Sequence, residues 1–392
     1  MSYLRSKRAR YAAPAAVLAA IGVGALVPTL SGASAPPALR AQTARQLVAD
    51  LAGTQAPELS GGLTWTANLG LSDLSSLEPG AGEGGGSGNG FNPLTLLSGN
   101  YQLKLWLGAK AEHIALIEPS TQEVDVVRNQ NQVWLWDSST ETVLHLVGPA
   151  KASTATTHAN SSLTTLSAPP FTPMQLATEL LSHVSANTSV TIGAPVYVAG
   201  QPAYQLLIGP KNAAGSTIRD IEVALGASGP LLGVPLQVAV YTKGVASPAL
   251  SLGFTGQLHL GAPSASELTF TPPPGSKVTT HTISSTPTSS SANGGGWFAF
   301  APLTGMTGPA GTGSGVTKSG TGWATVVSGP SGALFSTVES GPLSAVTTVV
   351  TVHGQQGRLF STDLFNVLLM PDHFYAGFVK PSVLEAAASA ST

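Results

Sequence analysis

Residues that could do covalent chemistry are few in this chain, and their spacing is poor. Cysteine is absent, which excludes thiol nucleophiles, thiolate metal sites and disulfides. There is no Gly-x-Ser-x-Gly turn and no Ser-x-x-Lys pair in a helical context, so neither common setting for an activated serine is present. A Ser–His–Asp triad would need distant residues that nothing in the sequence pairs. The eight histidines are scattered, with no i,i+4 pair and no His-Glu-x-x-His. His113, His145 and His259 fall on predicted strands, where they read as surface or hydrogen-bonded residues. Acidic residues that might form a glycosidase pair, such as Glu118, Asp137 and Glu141, lie beside turns and read as solvated loop charge. Lys318-Ser319 ends a Gly-rich run, but Thr317 stands where a phosphate-binding loop needs glycine, and no strand leads in. The Gly-rich run 83–90 also lacks a βαβ setting. The expectation is a chain with no catalytic residues, no metal site and no cofactor.

The distinctive residues are apolar. Trp65, Trp106, Trp134 and Trp136 all fall on predicted strands of the first half. Alternation puts Trp134 and Trp136 on one face and Val133 and Leu135 on the other. A strand apolar on both faces is costly to leave half in water. Something must cover one side, or that side lines a cavity. Plain core and the wall of a hydrophobic ligand pocket both fit, and alternation leaves open which face is concave. The candidate pocket residues are Trp65, Leu105, Trp134 and Trp136.

The elements that must position them are mostly strands. A helix is predicted over 39–53, with Ala44, Leu47, Val48 and Leu51 on one face. Strands follow at 62–71, 101–107, 113–118, 123–128, 132–137 and 142–147, with turn residues between them, as in an antiparallel meander. The Gly-rich stretch 78–92 reads as a loop and the Ser/Thr/Ala-rich stretch 150–170 as a linker. Thr172 and Pro173 then suit the cap and first position of a second helix, with Leu176, Leu180 and Val184 as its apolar face. A second meander runs over 190–271, with strands at 196–198, 203–208, 218–225, 236–241 and 250–260. Neither half has a complete core of its own, so one sheet pooling their apolar faces is expected. Ser, Thr, Gly, Pro and Ala dominate 279–320, which reads as a linker. The tail is predicted as a small module with strands near 323–328, 344–352 and 374–378 and helices at 362–369 and 381–389.

Composition and the N-terminus bound the location. Charged residues are only 9% of the 392, and the net charge of −2 offers no basic surface for nucleic acid. Arg5, Lys7, Arg8 and Arg10 precede an uncharged apolar stretch and then Ser31-Gly32-Ala33-Ser34-Ala35. This is the pattern of a secretory leader. The apolar stretch is also long enough to stay as an anchor. Either fate puts the remainder outside the cytoplasmic membrane. The expected layout is a signal peptide or anchor over 1–35, a main domain over 36–282, a linker over 283–320 and a small module over 321–392.

Several short motifs, in order, resemble the LolA/RseB-like family of exported lipoprotein-carrier-type proteins, in particular its actinobacterial branch. Residues 129–146, NQNQVWLWDSSTETVLHL, are similar to that family's Trp-containing hairpin. Phe171-Thr172-Pro173 resembles its helix start, and residues 198–206, VAGQPAYQL, its Gly-x-x-x-Tyr hairpin. Pro235-Leu236-Gln237-Val238 and residues 270–275, FTPPPG, resemble its closing strand and turn. Trp136 departs from the family's usual tyrosine, and the C-terminal module is absent from the short carriers. The resemblance implies an α+β fold: a curved antiparallel sheet, an unclosed half-barrel, with helices packed in its concave mouth, plus a small C-terminal α+β module. It implies a non-catalytic extracytoplasmic carrier whose hydrophobic cavity takes a lipid or the acyl chain of a lipoprotein. The alternative it implies is a sensor that binds a membrane-bound anti-sigma factor or another membrane protein. A secreted hydrolase is the remaining alternative from another class.

Overall fold

The computed structural model describes residues 36–71, 96–117, 123–148, 172–181, 187–282, 316–332 and 334–390. Residues 1–35, expected to be a leader or anchor, the Gly-rich stretch 78–92, the stretch 150–171 and residues 283–315 lie outside the described residues. Among the described residues, no helix is long and apolar enough to cross a membrane.

Helix α1 (Ala44–Gly53) begins later than the periodicity predicts, because Thr43 caps it. The Thr43 hydroxyl oxygen accepts the Gln46 N–H at 3.3 Å, while the Gln46 side-chain oxygen accepts the Thr43 N–H at 2.8 Å. This reciprocal pair fixes the first turn. The first meander follows as β1 (Leu59–Asn68), β2 (Ser98–Leu107), β3 (Ala111–Ile117), β4 (Glu123–Asn129), β5 (Gln132–Asp137) and β6 (Thr142–Val147). Helix α2 (Pro173–Leu181) starts at Thr172, whose hydroxyl accepts the Gln175 N–H at 3.2 Å. The second meander is β7 (Thr188–Ile192), β8 (Val196–Val198), β9 (Gln201–Pro210), β10 (Ile218–Gly226), β11 (Pro235–Thr242) and β12 (Leu250–Leu260).

The two meanders form one sheet, because β1 pairs antiparallel with both β2 and β12. With β13 (Lys277–Thr282) the sheet has 13 strands, in the order β13-β6-β5-β4-β3-β2-β1-β12-β11-β10-β9-β7, with β8 on β9. The path has two ends, β13 and β7, so this large, mostly antiparallel sheet does not close. Its unclosed form is consistent with the half-barrel expected from the sequence. Its inner face carries Leu63, Trp65, Leu105, Leu206, Val223, Val238 and Leu252, and Leu47 and Leu51 of α1 with Leu176 and Ala177 of α2 pack into that same core. Strand β13 departs from the compositional reading, though it lies within the main domain expected over 36–282. Residues 279–282, read as linker from composition, pair parallel with β6.

A second sheet is built by the tail, with six strands in the order β14-β15-β19-β18-β17-β16. These are β14 (Thr317–Ser319), β15 (Val326–Pro330), β16 (Thr348–Val352), β17 (Gln355–Ser361), β18 (Asn366–Leu369) and β19 (His373–Gly377), with helices α3 (Leu334–Ser340) and α4 (Pro381–Ala390). Strand β14 falls within the stretch read as linker. The helix predicted over 362–369 is instead a turn and a strand. Thr362 Oγ1 accepts the Phe365 N–H at 2.8 Å, which fixes a tight turn, and all four residues of β18 are buried. The run is apolar on both sides because both sides are covered. Val367 and Leu369 join the main core, while Leu368 packs with Leu384 and Ala388 of α4. A short run of that kind has no periodicity to separate strand from helix.

The tail docks on the main sheet through backbone as well as core. Thr217 N–H donates to the Phe378 carbonyl at 2.9 Å, Lys380 N–H to Gly215 at 2.8 Å and Asp363 N–H to Leu69 at 2.9 Å. The Trp323 indole donates to Thr188 Oγ1 at 2.9 Å. Gly70, with φ of 71°, makes the approach possible, since a Cβ there would lie 2.8 Å from the Asp363 carboxylate.

Candidate functional site

Strand register decides which residues share a face. Directly paired residues point the same way, and the pairs run Trp65–Tyr101, Leu105–Ile114, Ile114–Val126 and Val126–Leu135 across β1 to β5. Trp65, Leu105 and Leu135 are therefore all inner-face residues. The neighbouring pairs Trp106–His113, His113–Val127 and Val127–Trp134 belong to the outer face, as does Asp125–Trp136. The four residues expected to share a pocket are thus divided. Trp65 and Leu105 face inward, 2% and 1% exposed, and the Trp65 indole donates to the Leu96 carbonyl at 2.8 Å. Trp134 and Trp136 face outward, away from the main core.

What covers the outer face is the segment between β12 and β13, which crosses it as a strap. Trp134 stacks on His145 at 3.5 Å and tilts against Phe270 of the strap at 5.7 Å. Trp106 stacks on His113 at 4.5 Å, and its indole donates to Glu267 Oε1 at 2.8 Å. His113 Nδ1 donates to the Glu267 carbonyl at 2.8 Å, while Nε2 lies 3.2 Å from Asp125 Oδ1. Hydrogen bonds from the Ser264 N–H, helped by the Ser264 hydroxyl and the Trp106 indole, hold the Glu267 carboxyl below its ordinary range. The strap therefore covers Trp134 and Trp106 on the outer face.

The inner face of β3 to β6 is different. One row across it reads Leu105, Ile114, Val126, Leu135 and Leu144. The next row reads Leu107, Glu112, Arg128, Val133 and Leu146. The rows lie roughly 7 Å apart, two residues along each strand. Val133, Leu135 and Leu144 are only partly buried, although all three point inward. α1 and α2 pack chiefly over the other half of the sheet, α1 against β7 and β9 and α2 against β11 and β12.

Sequence reasoning missed the polar group in this apolar face. Arg128 Nη1 lies 3.3 Å from Glu112 Oε2, and Gln175 of α2 donates its side-chain N–H to both Glu112 oxygens at 3.3 and 3.4 Å. The Gln175 carbonyl oxygen in turn accepts the Thr172 N–H at 3.2 Å, so the α2 cap and the sheet share one side chain. Burial pushes the Glu112 carboxyl above its ordinary range, and Arg128 and Gln175 pull it back. The signal was parity. Glu112 shares its face with Ile114 and Leu116, and Arg128 shares its face with Val124 and Val126, so adjacent strands each carry one charge at an inward position.

Among the described residues, no group of three or more His, Asp or Glu is placed to hold a metal ion. No protein-family model matches this chain, and no curated protein matches it. Solved structures similar to it include the MucA/MucB complex of Pseudomonas aeruginosa, at 15% identity over 88% of this chain and 96% of that one, with a TM-score of 0.37. Another is the lipoprotein LppX of Mycobacterium tuberculosis, at 10% identity over 55% of this chain and 90% of that one, TM-score 0.27. A third is a LolA superfamily protein of Nitrosomonas europaea, at 9% identity over 59% of this chain and 99% of that one, TM-score 0.21.

Proposed function

We propose that this chain is a non-catalytic, extracytoplasmic carrier that binds a lipid or the acyl chain of a lipoprotein on the inner face of β3 to β6. One observation carries the reading: Val133, Leu135 and Leu144 point inward and are only partly buried, whereas Leu206, Val223, Val238 and Leu252 at the centre of the other half are completely buried. Trp65 and Leu105 support that surface from within the core. The motif resemblance in the sequence favours the same reading. So does the leader-like N-terminus, which would deliver the chain across the membrane, whether secreted or left anchored.

The energetics suit reversible capture. Each methylene moved from water onto an apolar surface contributes about 0.8 kcal/mol. Lost translational and rotational freedom takes back several kcal/mol, on the order of 4 or more. The test is titration of a fluorescent long-chain fatty acid into wild type and Leu135→Gln, with thermal melting of both. Saturable binding in wild type, weakened about tenfold in a folded Leu135→Gln, supports the proposal. Wild type that never saturates overturns it. A second reading, a sensor that binds a membrane-bound anti-sigma factor, draws on the docked C-terminal module, which the short carriers lack. Capture of one membrane protein by the full chain, lost when the module's docking residue Trp323 is replaced, would favour it.

A further inference from the structure

We propose that Arg128 is an anchoring site for the anionic headgroup of an amphiphile whose chain lies along the inner face of β4 to β6, and that Glu112 and Gln175 compete for that position. The inference rests on the lipid-binding reading above and names the chemistry of its ligand.

Three observations carry it. First, Arg128 is underused. Its contact with Glu112 is a single one at 3.3 Å, longer than the roughly 2.7–2.9 Å of a strong charge-assisted bond. Its Nε is buried and has no hydrogen-bond partner among the described residues. A buried guanidinium N–H left without an acceptor is destabilising unless something else satisfies it. Nε and its neighbouring Nη form the fork that takes a carboxylate or phosphate through two parallel bonds.

Second, part of the side chain is reachable, although Nε itself is buried and the fork opens only if the guanidinium turns. The Arg128 side chain is 33% exposed, whereas Glu112 beside it is 12% exposed. An incoming oxyanion would meet the guanidinium before the carboxylate.

Third, the placement is that of an amphiphile's head. Val133 pairs directly with Arg128, Leu146 pairs with Val133, and Leu135 and Leu144 occupy the next row. Partly covered apolar surface therefore begins one strand away from the charge. Gln175 adds a link to α2. An oxyanion that took Arg128 would release Glu112, whose remaining partner is the side chain that also caps α2.

The shared chemistry is an oxyanion on a long chain, and it could belong to a fatty-acid carboxylate or a phospholipid phosphate. Three probes carrying the same labelled chain separate the cases: the free acid, its methyl ester and a phosphatidic acid. Wild type should bind at least one anionic probe about tenfold more tightly than the ester. The tighter of the two anionic probes identifies the source. Arg128→Gln should bring that probe down to the ester's affinity and leave the ester unchanged. Glu112→Gln removes the competitor and should strengthen anionic binding several-fold, roughly, with the ester again unmoved. Because Arg128→Gln leaves Glu112 buried without its charged partner, the double variant Arg128→Gln/Glu112→Gln provides a folded check and should show the same loss of anion preference. Equal binding of acid, phosphate and ester by wild type overturns the site while the lipid reading stands. A loss in Arg128→Gln that affects the ester equally also overturns it. Failure of all three probes to bind wild type overturns the lipid reading itself, and the site with it.

Discussion

The two meanders of the large sheet use similar strands and are covered differently. In the second, the inward residues Leu206, Val223, Leu225, Leu236, Val238 and Leu252 are completely buried, with α1 and α2 over them and the tail module docked at Leu69, Thr188 and Thr217. In the first, coverage is reversed. The outward face of β2 to β6 is strapped, with Phe270 on Trp134 and Glu267 on Trp106 and His113. The inward face of β3 to β6 keeps partly exposed valine and leucine and a charged pair. One half of the sheet is thus a scaffold. The other half is held from behind and free in front, which is the arrangement a binding surface needs if it is to stay dry, apolar and accessible together.

That contrast can be broken most directly at Trp136. It is buried on the outer, strapped side, so Trp136→Ala should lower unfolding free energy by roughly 3–5 kcal/mol. It should leave fatty-acid affinity unchanged at temperatures where the variant is folded. Denaturant melts and probe titration on one preparation give both readouts. A well-folded variant with lost binding would move the site to the outer face.

A matched pair of truncations sharpens the comparison. Leu206→Ala in the scaffold half removes a completely buried side chain and should cost about 2–5 kcal/mol. Leu135→Ala in the open half removes a partly exposed one and should cost nearer 1 kcal/mol, roughly in proportion to the area it buries. Urea midpoints at constant slope measure both. Equal losses would mean that the two inner faces are equally packed and that the open half is ordinary core.

Much of this was legible in sequence, and the misses have physical causes. Strands β5, β6, β8 and β12 were read with their observed bounds, because apolar alternation and flanking turns both mark them. The shared face of Trp134 and Trp136 was also legible. Its direction was not, since alternation is symmetric between faces and only pairing with distant strands fixes the sign. Composition hid β13 and β14, whose Thr, Ser, Lys and His residues are exposed strand residues that look like linker. Asn366 hid β18: its side chain donates to the Val379 carbonyl at 2.7 Å and accepts from the Thr362 N–H at 3.1 Å. A polar residue satisfied by the turn before it and by a backbone carbonyl of a later segment looks, in sequence, like a break in an apolar run. Arg128 and Glu112 were readable in principle, because each breaks an apolar alternation at an inward position. They gain meaning only once β3 and β4 are placed side by side.

The helix that lies over the scaffold half offers a smaller test. Thr43→Ala removes the hydroxyl that accepts the Gln46 N–H at the start of α1, and the expected loss is about 1 kcal/mol. Because α1 packs on β7 and β9, probe affinity on the far half should not change. A thermal melt paired with the fatty-acid titration checks both. A drop in affinity would show that the halves are coupled through α1.

The smallest effect expected is at the strap, and its sign with pH is fixed. The Glu267 carboxyl lies below its ordinary value of 4.5, chiefly because the Ser264 N–H donates to it, with the Ser264 hydroxyl, the Trp106 indole and nearby Lys104 adding to the effect. The folded protein therefore binds this proton less tightly than the unfolded chain does. The stabilisation is fully present above the unfolded value and is lost as pH falls through the depressed folded value. Much of the group is in contact with water, so the contribution is no more than about 1 kcal/mol. The measurement is the difference in urea midpoint between wild type and Glu267→Gln across pH. It should be constant near neutrality and shrink toward zero below 4.5, the ordinary carboxyl value. Fatty-acid affinity compared at neutral pH should be the same in both proteins, because the strap holds the sheet from the side opposite the proposed binding face. A midpoint difference that grows in acid would mean that Glu267 is strained by the strap rather than holding it, and the outer face would then lose its claim to be the supported side.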